Sequence, residues 1–385
     1  MKLIFLYYSE GDNPEMECDI NKKSNNRFAL NFHTEGLDNV FRGLIDDQVI
    51  NECTVVIEST QGCGSLDFNP QYRALVVPSL RYVDDILDED TVIFTRGGFR
   101  SWYDYLVKWS NEGRWSWLYA ANTGRQRWPF WDIVMNDLID ETYTDESERL
   151  QLRYYKPINH SIFYPNPGEK PVYDIMIGAS HVHDKKGQYK VVKALAEAKR
   201  IFNWTPKCVL PGSFRRGVFT NTILNIIDSE DLDITLPGMI SREELANLMR
   251  RTKLFIHGGA SGQNDRGPLE AMACGCHLMI ASPRYHDPVL YNDHRMTFVP
   301  DYVDDPASFA IEIQSWINTI DRNPDTQAGR QYISDRFLRH FYVDRIITDF
   351  TKILSFFKAH HQRDKAALRS YWTDSPKEDF NEIKR

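Results

Sequence analysis

The chain has 385 residues, 42% of them hydrophobic and 26% charged, with a formal net charge of −8. That length exceeds what one hydrophobic core usually spans, so two domains are expected. The charge argues against a protein that coats nucleic acid or a membrane as a whole, while leaving room for a local basic cleft, and no stretch reaches the roughly 20 apolar residues of a membrane span. The six cysteines (Cys18, Cys53, Cys63, Cys208, Cys274 and Cys276) form no CxxC pair. Neither a zinc site nor a disulfide framework is indicated, and a reducing, cytoplasmic setting is expected.

The opening MKLIFLYYSEGD is too short for a signal peptide and reads as a first core strand over Lys2–Tyr8. A polar loop follows to about Asn26. Apolar residues at Phe28, Leu30, Leu37, Val40, Phe41 and Leu44 are partly helix-spaced, with Gly36 as a break or turn. Strand-like runs recur at Cys53–Glu58, Asp90–Thr95 and Trp115–Ala121, separated by material compatible with helix. Such alternation predicts a parallel sheet covered on both faces.

The segment from Arg96 to Trp131 is the most unusual in composition. Arg96, Arg100, Lys108, Arg114, Arg125 and Arg127 face only Asp104 and Glu112, and six of the nine tryptophans (102, 109, 115, 117, 128 and 131) lie here. Two readings stand side by side: tryptophans packed into the core with arginines reaching outward, or a cationic aromatic surface beside a ligand cleft. On the second reading Arg96, Arg100, Trp102, Arg125, Arg127 and Trp128 bind an acceptor. Arg96 directly follows a predicted strand, which puts it at the carboxyl end where ligands of doubly wound domains bind.

A break at Asn166-Pro167-Gly168 marks the expected domain boundary. Beyond it Tyr173–Ala179 reads as a strand, Ser180–Gly187 as a polar turn, and Gln188–Ile201 as a helix with a Val191, Val192, Leu195, Ala196 face. Lys207–Leu210 is the next strand, and it ends in a turn carrying Arg215 and Arg216, which either reach a phosphate or sit on the surface. Asp233–Leu236 and a helix capped by Ser241 follow. Leu254–His257 is a four-residue apolar run bounded by Gly258-Gly259 and reads as a buried strand. Then come a glycine loop (Gly258, Gly259, Gly262, Gly267), Pro268 as first helical residue, a short helix to Cys274, Gly275 as a left-handed stop, and a strand at Leu278–Ala281. A glycine loop feeding a helix N-terminus leaves backbone N–H groups aimed along the helix dipole, which suits a diphosphate. Glu270, in the third helical position, either complements that dipole or accepts hydrogen bonds from a ribose. Helices are expected at about Pro306–Ile320, Tyr332–Arg339 and across 345–372.

Leu269-Glu270-Ala271-Met272-Ala273-Cys274-Gly275 resembles, residue for residue, the donor-site helix of the retaining GT-B glycosyltransferases, the glycogen synthase-like "group 1" family, which reads Leu-Glu-Ala-Met-Ala-Cys-Gly. Pro157-Ile158-Asn159-His160 and Phe163-Tyr164-Pro165 hold the places of that family's interdomain segment. Gly178 and Lys186-Gly187 match its phosphate-gripping turn, although the family arginine falls on Ala179 and the turn is two residues longer. The family's first glutamate, eight positions before Glu270, falls on Gly262. Gln263, Asn264, Asp265 and Arg266 stand where the donor sugar would be met, and a shortened sugar such as a pentose is one consequence. Arg284–Leu290 replaces the usual Gly-Gly-x-x-Glu, with Asp287 the nearest acid.

The resemblance implies a GT-B fold: two Rossmann-like α/β doubly wound domains facing each other across a cleft. Residues 1–165 would form the acceptor domain and 166–350 the donor domain, with 351–385 a helical segment crossing back to the first. It implies a glycosyltransferase acting with retention on a nucleoside-diphosphate sugar as co-substrate, with no permanently bound cofactor. No metal is expected, because the donor loop lacks a DxD-like carboxylate pair. Lys186 and Arg96 are the candidate catalytic residues. Gly178, Lys186, Arg215, Gly262, Gln263, Asn264, Asp265, Arg266, Gly267 and Glu270 are the candidate donor-binding residues. A glycan is the expected acceptor, with DNA bearing a hydroxymethylated base as the alternative; a nucleotide-sugar epimerase or hydrolase, and an inactive sugar-nucleotide-binding protein, are the other classes.

Overall fold

A computed structural model describes residues 1–9, 18–23, 36–119, 128–136, 143–144, 150–153, 156–166, 168–178, 187–214, 217–259, 266–280, 297–298, 300, 302–322, 343–360 and 363–373. The chain divides into two compact units, Met1–Tyr155 with Val343–Arg385, and Lys156–Tyr342. The expected helix at Tyr332–Arg339 lies outside the described residues.

The first unit is built on β1 (Lys2–Ser9), α1 (Gly36–Asp46), β2 (Glu52–Glu58), β3 (Gly64–Asn69), β4 (Tyr72–Val77), β5 (Thr91–Thr95), α2 (Tyr103–Asn111), β6 (Ser116–Leu118), β7 (Ile133–Asn136), β8 (Tyr143–Thr144) and β9 (Leu150–Arg153). The sheet order is β3-β4-β2-β1-β5-β6-β7-β9-β8. Within that order the strands from β4 to β9 run parallel, and β3 and β8 pair antiparallel at the two edges. The strands at 2–9, 52–58, 91–95 and 116–118 fall where the apolar runs predict them. The β3–β4 hairpin does not follow from the run of apolar residues. It replaces expected helical material, and its turn is set by Asn69, whose side-chain Oδ1 accepts the Gln71 backbone N–H at 2.9 Å, an Asx-turn device. Gly36 is the first residue of α1, and Phe28 and Leu30 lie outside the described residues.

The second unit contains β10 (Tyr173–Ile177), α3 (Gln188–Phe202), β11 (Cys208–Pro211), α4 (Val218–Ser229), β12 (Ile234–Gly238), α5 (Arg242–Arg250), β13 (Thr252–His257), α6 (Arg266–Ala273), β14 (His277–Ile280), β15 (Thr297–Phe298) and α7 (Pro306–Arg322). All its strand pairs are parallel, in the order β12-β11-β10-β13-β14-β15. Numbered within the unit this is 3-2-1-4-5-6, the doubly wound order whose direction reverses between the first and fourth strands. The apolar face of α3 buries Val191, Val192 and Leu195 against Phe309 and Ile313 of α7 and the strands beneath. α5 begins with a capping box: Ser241 Oγ accepts the Glu244 N–H while Glu244 accepts the Ser241 N–H. α4 is a helix that the sequence pattern does not predict. α6 starts at Arg266, so Pro268 sits within the first turn and not at its opening residue, a place where its missing N–H still costs no helical bond.

The chain then returns to the first unit through α8 (Val343–Ala359) and α9 (Lys365–Thr373). Phe350 of α8 packs on Trp117 and Phe94 at ring separations of 4.4 and 5.5 Å, closing one face of the sheet. The other face holds Trp102, Leu106, Trp109 and Trp131. Five of the six tryptophans between Arg96 and Trp131 are thus buried, and the core-packing reading accounts for them. The link after α8 is fixed by Arg363, whose Nε donates to the buried Asp132 carboxylate at 2.6 Å and whose remaining N–H groups reach the carbonyls of Ser110 and Phe130. Asp132 also accepts the Ser116 backbone N–H at 2.7 Å. Removing Arg363 leaves the buried carboxylate only the more distant Lys365 Nζ, 3.8 Å away, as a cation among the described residues, and breaking a buried pair typically costs about 3–5 kcal/mol. Arg363→Met is therefore expected to lower the urea unfolding free energy by about that amount, whereas Lys190→Ala, which breaks the exposed Lys190–Asp304 pair, should cost less than about 1 kcal/mol.

Candidate functional site

In the second unit the order reverses between β10 and β13, so the loops leaving their carboxyl ends diverge to opposite faces and open a crevice. Gly178 follows β10 and donates its N–H to Ile256 of β13 at 2.9 Å. A Cβ at Gly178 would lie 2.0 Å from the Phe255 ring, and one at Gly267, in the first turn of α6, 3.3 Å from the same ring. Phe255 is therefore flanked by the end of β10 and the first turn of α6, and only hydrogen at Gly178 leaves it room.

The residue before α3 is Gly187, held at φ +72°. A Cβ there would overlap the Gly258 carbonyl oxygen at 1.9 Å, and one at Gly258 would meet the Gly187 carbonyl oxygen at 2.6 Å. The two loops thus press backbone against backbone. The contact sets the N-terminus of α3 beside the glycines that leave β13 toward α6. Unpaired N–H groups at helix starts, with the positive dipole end behind them, attract an anion.

Glu270 lies on α6, its side chain only 3% exposed, and forms an ion pair through Oε1 with Arg242, the first residue of α5. Arg242 in turn lies 4.8 Å above the Phe163 ring. The segment around Phe163 is tied to α5 again by Arg250, which donates to the Ile162 carbonyl at 3.1 Å and covers Tyr164 at 4.7 Å. A carboxylate offers about four lone-pair positions, so one guanidinium contact leaves acceptor capacity for hydroxyls. The reading of Glu270 as a simple dipole partner does not account for Arg242. That arginine is absent from the sequence-derived site because its only local signal, a helix start, is satisfied by the capping box.

In the first unit, Arg96 follows β5, gives its N–H to Leu6 at 3.1 Å, and places its guanidinium 5.0 Å from the Tyr7 ring. Tyr7 is the extra residue of a bulge in β1, a device that re-aims a side chain. Beside it, Glu58 at the end of β2 is 1% exposed. Its Oε2 accepts from Ser9 Oγ at 2.5 Å, Ser101 Oγ at 2.9 Å and Trp102 Nε1 at 3.0 Å. One carboxylate oxygen so joins the carboxyl ends of β1 and β2 to the loop after β5. Trp102 is fully buried with its indole N–H on Glu58. A ring with no open face cannot stack on a ligand, so the expected acceptor role of Trp102 is corrected to anchoring that loop. Arg100 is exposed and Trp128 half-buried among Tyr103, Phe130 and Trp131. Glu58, Ser9 and Ser101 escape sequence reasoning because a lone acid at a strand end carries no spacing signal.

Gly178, Gly267, Glu270 and the half-buried Arg266 are brought to the β10–β13 edge or the helix beside it. Lys186, Arg215, Gly262, Gln263, Asn264, Asp265, Arg125 and Arg127 lie outside the described residues. Among the described residues no group of three or more His, Cys, Asp or Glu is placed to hold a metal, and no helix is long and apolar enough to cross a membrane.

No protein-family model and no curated protein matches the chain. Solved structures do. A glycosyltransferase from Rickettsia africae aligns with a TM-score of 0.62 at 14% identity, over 93% of this chain and 99% of that one. Sucrose-phosphate synthase from Thermosynechococcus elongatus gives 0.59 at 12%, over 93% and 100%. The Anabaena HepE protein in complex with UDP gives 0.59 at 13%, over 92% and 100%. The chain has the GT-B fold with its two Rossmann-like units.

The loop contact can be tested without any ligand. Gly113 also has positive φ, +86°, but a Cβ added there would meet nothing within 4 Å, so Gly113→Ala should cost only the left-handed backbone penalty, about 1–2 kcal/mol. Gly187→Ala adds a backbone collision. It is expected to lower the thermal midpoint clearly further than Gly113→Ala, as read by differential scanning calorimetry; equal losses would show that the loops do not press together.

Proposed function

We propose that the chain is a nucleotide-sugar-dependent glycosyltransferase that holds its donor at the carboxyl edge of β10 and β13 and transfers the sugar, with retention and without a metal, to an acceptor hydroxyl. The observation that carries this reading is the backbone contact of Gly187 with Gly258, which sets the N-terminus of α3 against the exit of β13 at the strand-order reversal. In support, HepE structures were determined in complex with UDP and with UDP-glucose. The diphosphate would lie against the N-termini of α3 and α6. As the glycosidic bond breaks, negative charge collects on the leaving diphosphate, and donors already aimed there lower the barrier. Lys186, adjacent in sequence to the pinned Gly187, supplies the cation. Glu270, oriented by Arg242, accepts the ribose hydroxyls, and Gln263, Asn264, Asp265 and Arg266 meet the sugar in place of the absent glutamate.

The acceptor is a glycan hydroxyl presented by the first unit, near Arg96 and the loop that Glu58 anchors. A second reading, DNA with a hydroxymethylated base, is favoured by the exposure of Arg100 within a strongly basic segment. The two differ in salt response: affinity for duplex DNA falls with a log–log slope of about −0.9 per neutralised phosphate, whereas a neutral glycan is nearly indifferent.

Donor binding is read by calorimetric titration with a panel of nucleoside-diphosphate sugars, and turnover by transfer to glycan and DNA acceptors. Glu270→Gln should weaken donor Kd by about tenfold, equivalent to about 1.4 kcal/mol. Lys186→Ala should lower kcat about 100-fold while leaving donor Kd within a few-fold. Donor consumption at full rate without acceptor would favour the epimerase or hydrolase class. Binding without any turnover would favour the inactive sugar-nucleotide-binding protein. No binding of any nucleotide sugar would overturn the assignment.

A further inference from the structure

Four of the six cysteines, Cys53, Cys208, Cys274 and Cys276, are buried, whereas Cys18 and Cys63 are partly exposed, and none is in a disulfide. Cys63 lies in the turn between β2 and β3, and residues 18–23 are laid along the outer edge of β3: Ser65 donates its N–H to the Lys22 carbonyl at 2.6 Å, and Lys23 bridges to Ser65. This pairing brings the two cysteines together. The backbone N–H of Asp19 donates to Cys63 Sγ at 3.2 Å, which sets the Cys63 sulfur against the peptide bond that follows Cys18. Forty-five positions apart in sequence, they carry no motif. Their adjacency is a product of the fold.

We propose that Cys18 and Cys63 are a redox modification site, closing to a reversible disulfide by exchange with a low-molecular-weight disulfide such as oxidised glutathione. The bond ties the segment that follows β1 to the turn that follows β2, at the carboxyl side of β2. The two sulfurs are not equivalent. Burial, the neighbouring Cys63 thiol and the nearby Asp19 carboxylate push the Cys18 thiol up to about 12, against a smaller opposing pull from Arg81. Cys18 therefore remains the proton donor of the pair, and Cys63, whose sulfur accepts a backbone N–H, is the attacking group. Its proton passes to solvent, its thiolate attacks one sulfur of oxidised glutathione, the S–S bond breaks, and one glutathione thiolate leaves. Cys18 then yields its proton to a departing glutathione thiolate, and its sulfur displaces the second glutathione from Cys63. Two protein thiols are oxidised by two electrons, and one glutathione disulfide is reduced to two thiols. In a reducing compartment such a bond is transient.

The test uses the full-length native protein, reduced, desalted, incubated with oxidised glutathione, alkylated with N-ethylmaleimide and mapped by mass spectrometry without reduction. The expected result is a peptide containing Cys18 joined to one containing Cys63, 2 Da lighter than the sum of the two thiol peptides. Both cysteines should be lost to alkylation, and dithiothreitol should reverse the change. In Cys18→Ser, Cys63 should accumulate as its glutathione adduct because the resolving sulfur is gone. In Cys63→Ser, Cys18 should remain alkylatable at close to its untreated level. The proposal is overturned if wild type yields no joined peptide, if both cysteines end as separate glutathione adducts, or if Cys18 reacts first in Cys63→Ser. Far-UV circular dichroism of both serine variants confirms that they are folded before exchange is scored.

Discussion

The second unit depends on one steric fact: two peptide backbones touch where no side chain fits. Gly187 and Gly258 come from loops that are 71 positions apart in sequence and leave adjacent parallel strands, and each glycine occupies the space the other's Cβ would need. Close packing makes such a contact unforgiving, since the collision involves carbonyl oxygens and not the flexible end of a side chain. Its consequence is positional. The start of α3 is held next to the exit from β13, and on the proposed reading that placement spares the reorganisation a looser diphosphate site would need.

Buried carboxylates perform the same fixing task elsewhere. Glu270 is oriented by Arg242, which is itself packed on Phe163. Glu58 gathers Ser9, Ser101 and Trp102 on one oxygen, and Asp132 anchors the returning C-terminal segment through Arg363. Each joins elements distant in sequence, and each has its charge met by hydrogen bonds or a cation, as burial demands. The three differ in what they leave over. Glu270 alone stands beside the glycine-lined edge, where acceptor capacity can serve a ligand, while Asp132 and Glu58 have their partners among the fold's own groups.

Much of this was legible in the sequence where local chemistry decides. Gly275 ends α6 in the left-handed region, at φ +80°, as a glycine after a short apolar helix should, and Ser241 caps α5 as its spacing with Glu244 indicates. The strands flanking the crevice of the second unit follow their apolar runs within one or two residues. What escaped was decided by tertiary contact. The β3–β4 hairpin is an exception, since Leu66 and Phe68 alternate with polar neighbours and Asn69-Pro70 signals a turn. α4 is rich in β-branched residues, which weakens its helical signal, and the tryptophans of the 96–131 segment resolve into core only once both sheet faces are known. Arg242 and the Cys18–Cys63 pair are invisible to any spacing rule, because their partners lie far along the chain.

The central claim, that the β10–β13 edge holds a nucleoside diphosphate, is tested most directly by amide hydrogen exchange of the wild-type protein with and without saturating UDP. The account predicts slowed exchange in peptides covering Gly187–Val191, Gly258–Gly259 and Arg266–Glu270, with the first unit's Glu58–Ser59 and Arg96–Trp102 unchanged. Slowed exchange confined to the first unit, or none at these three segments under saturation, would contradict it.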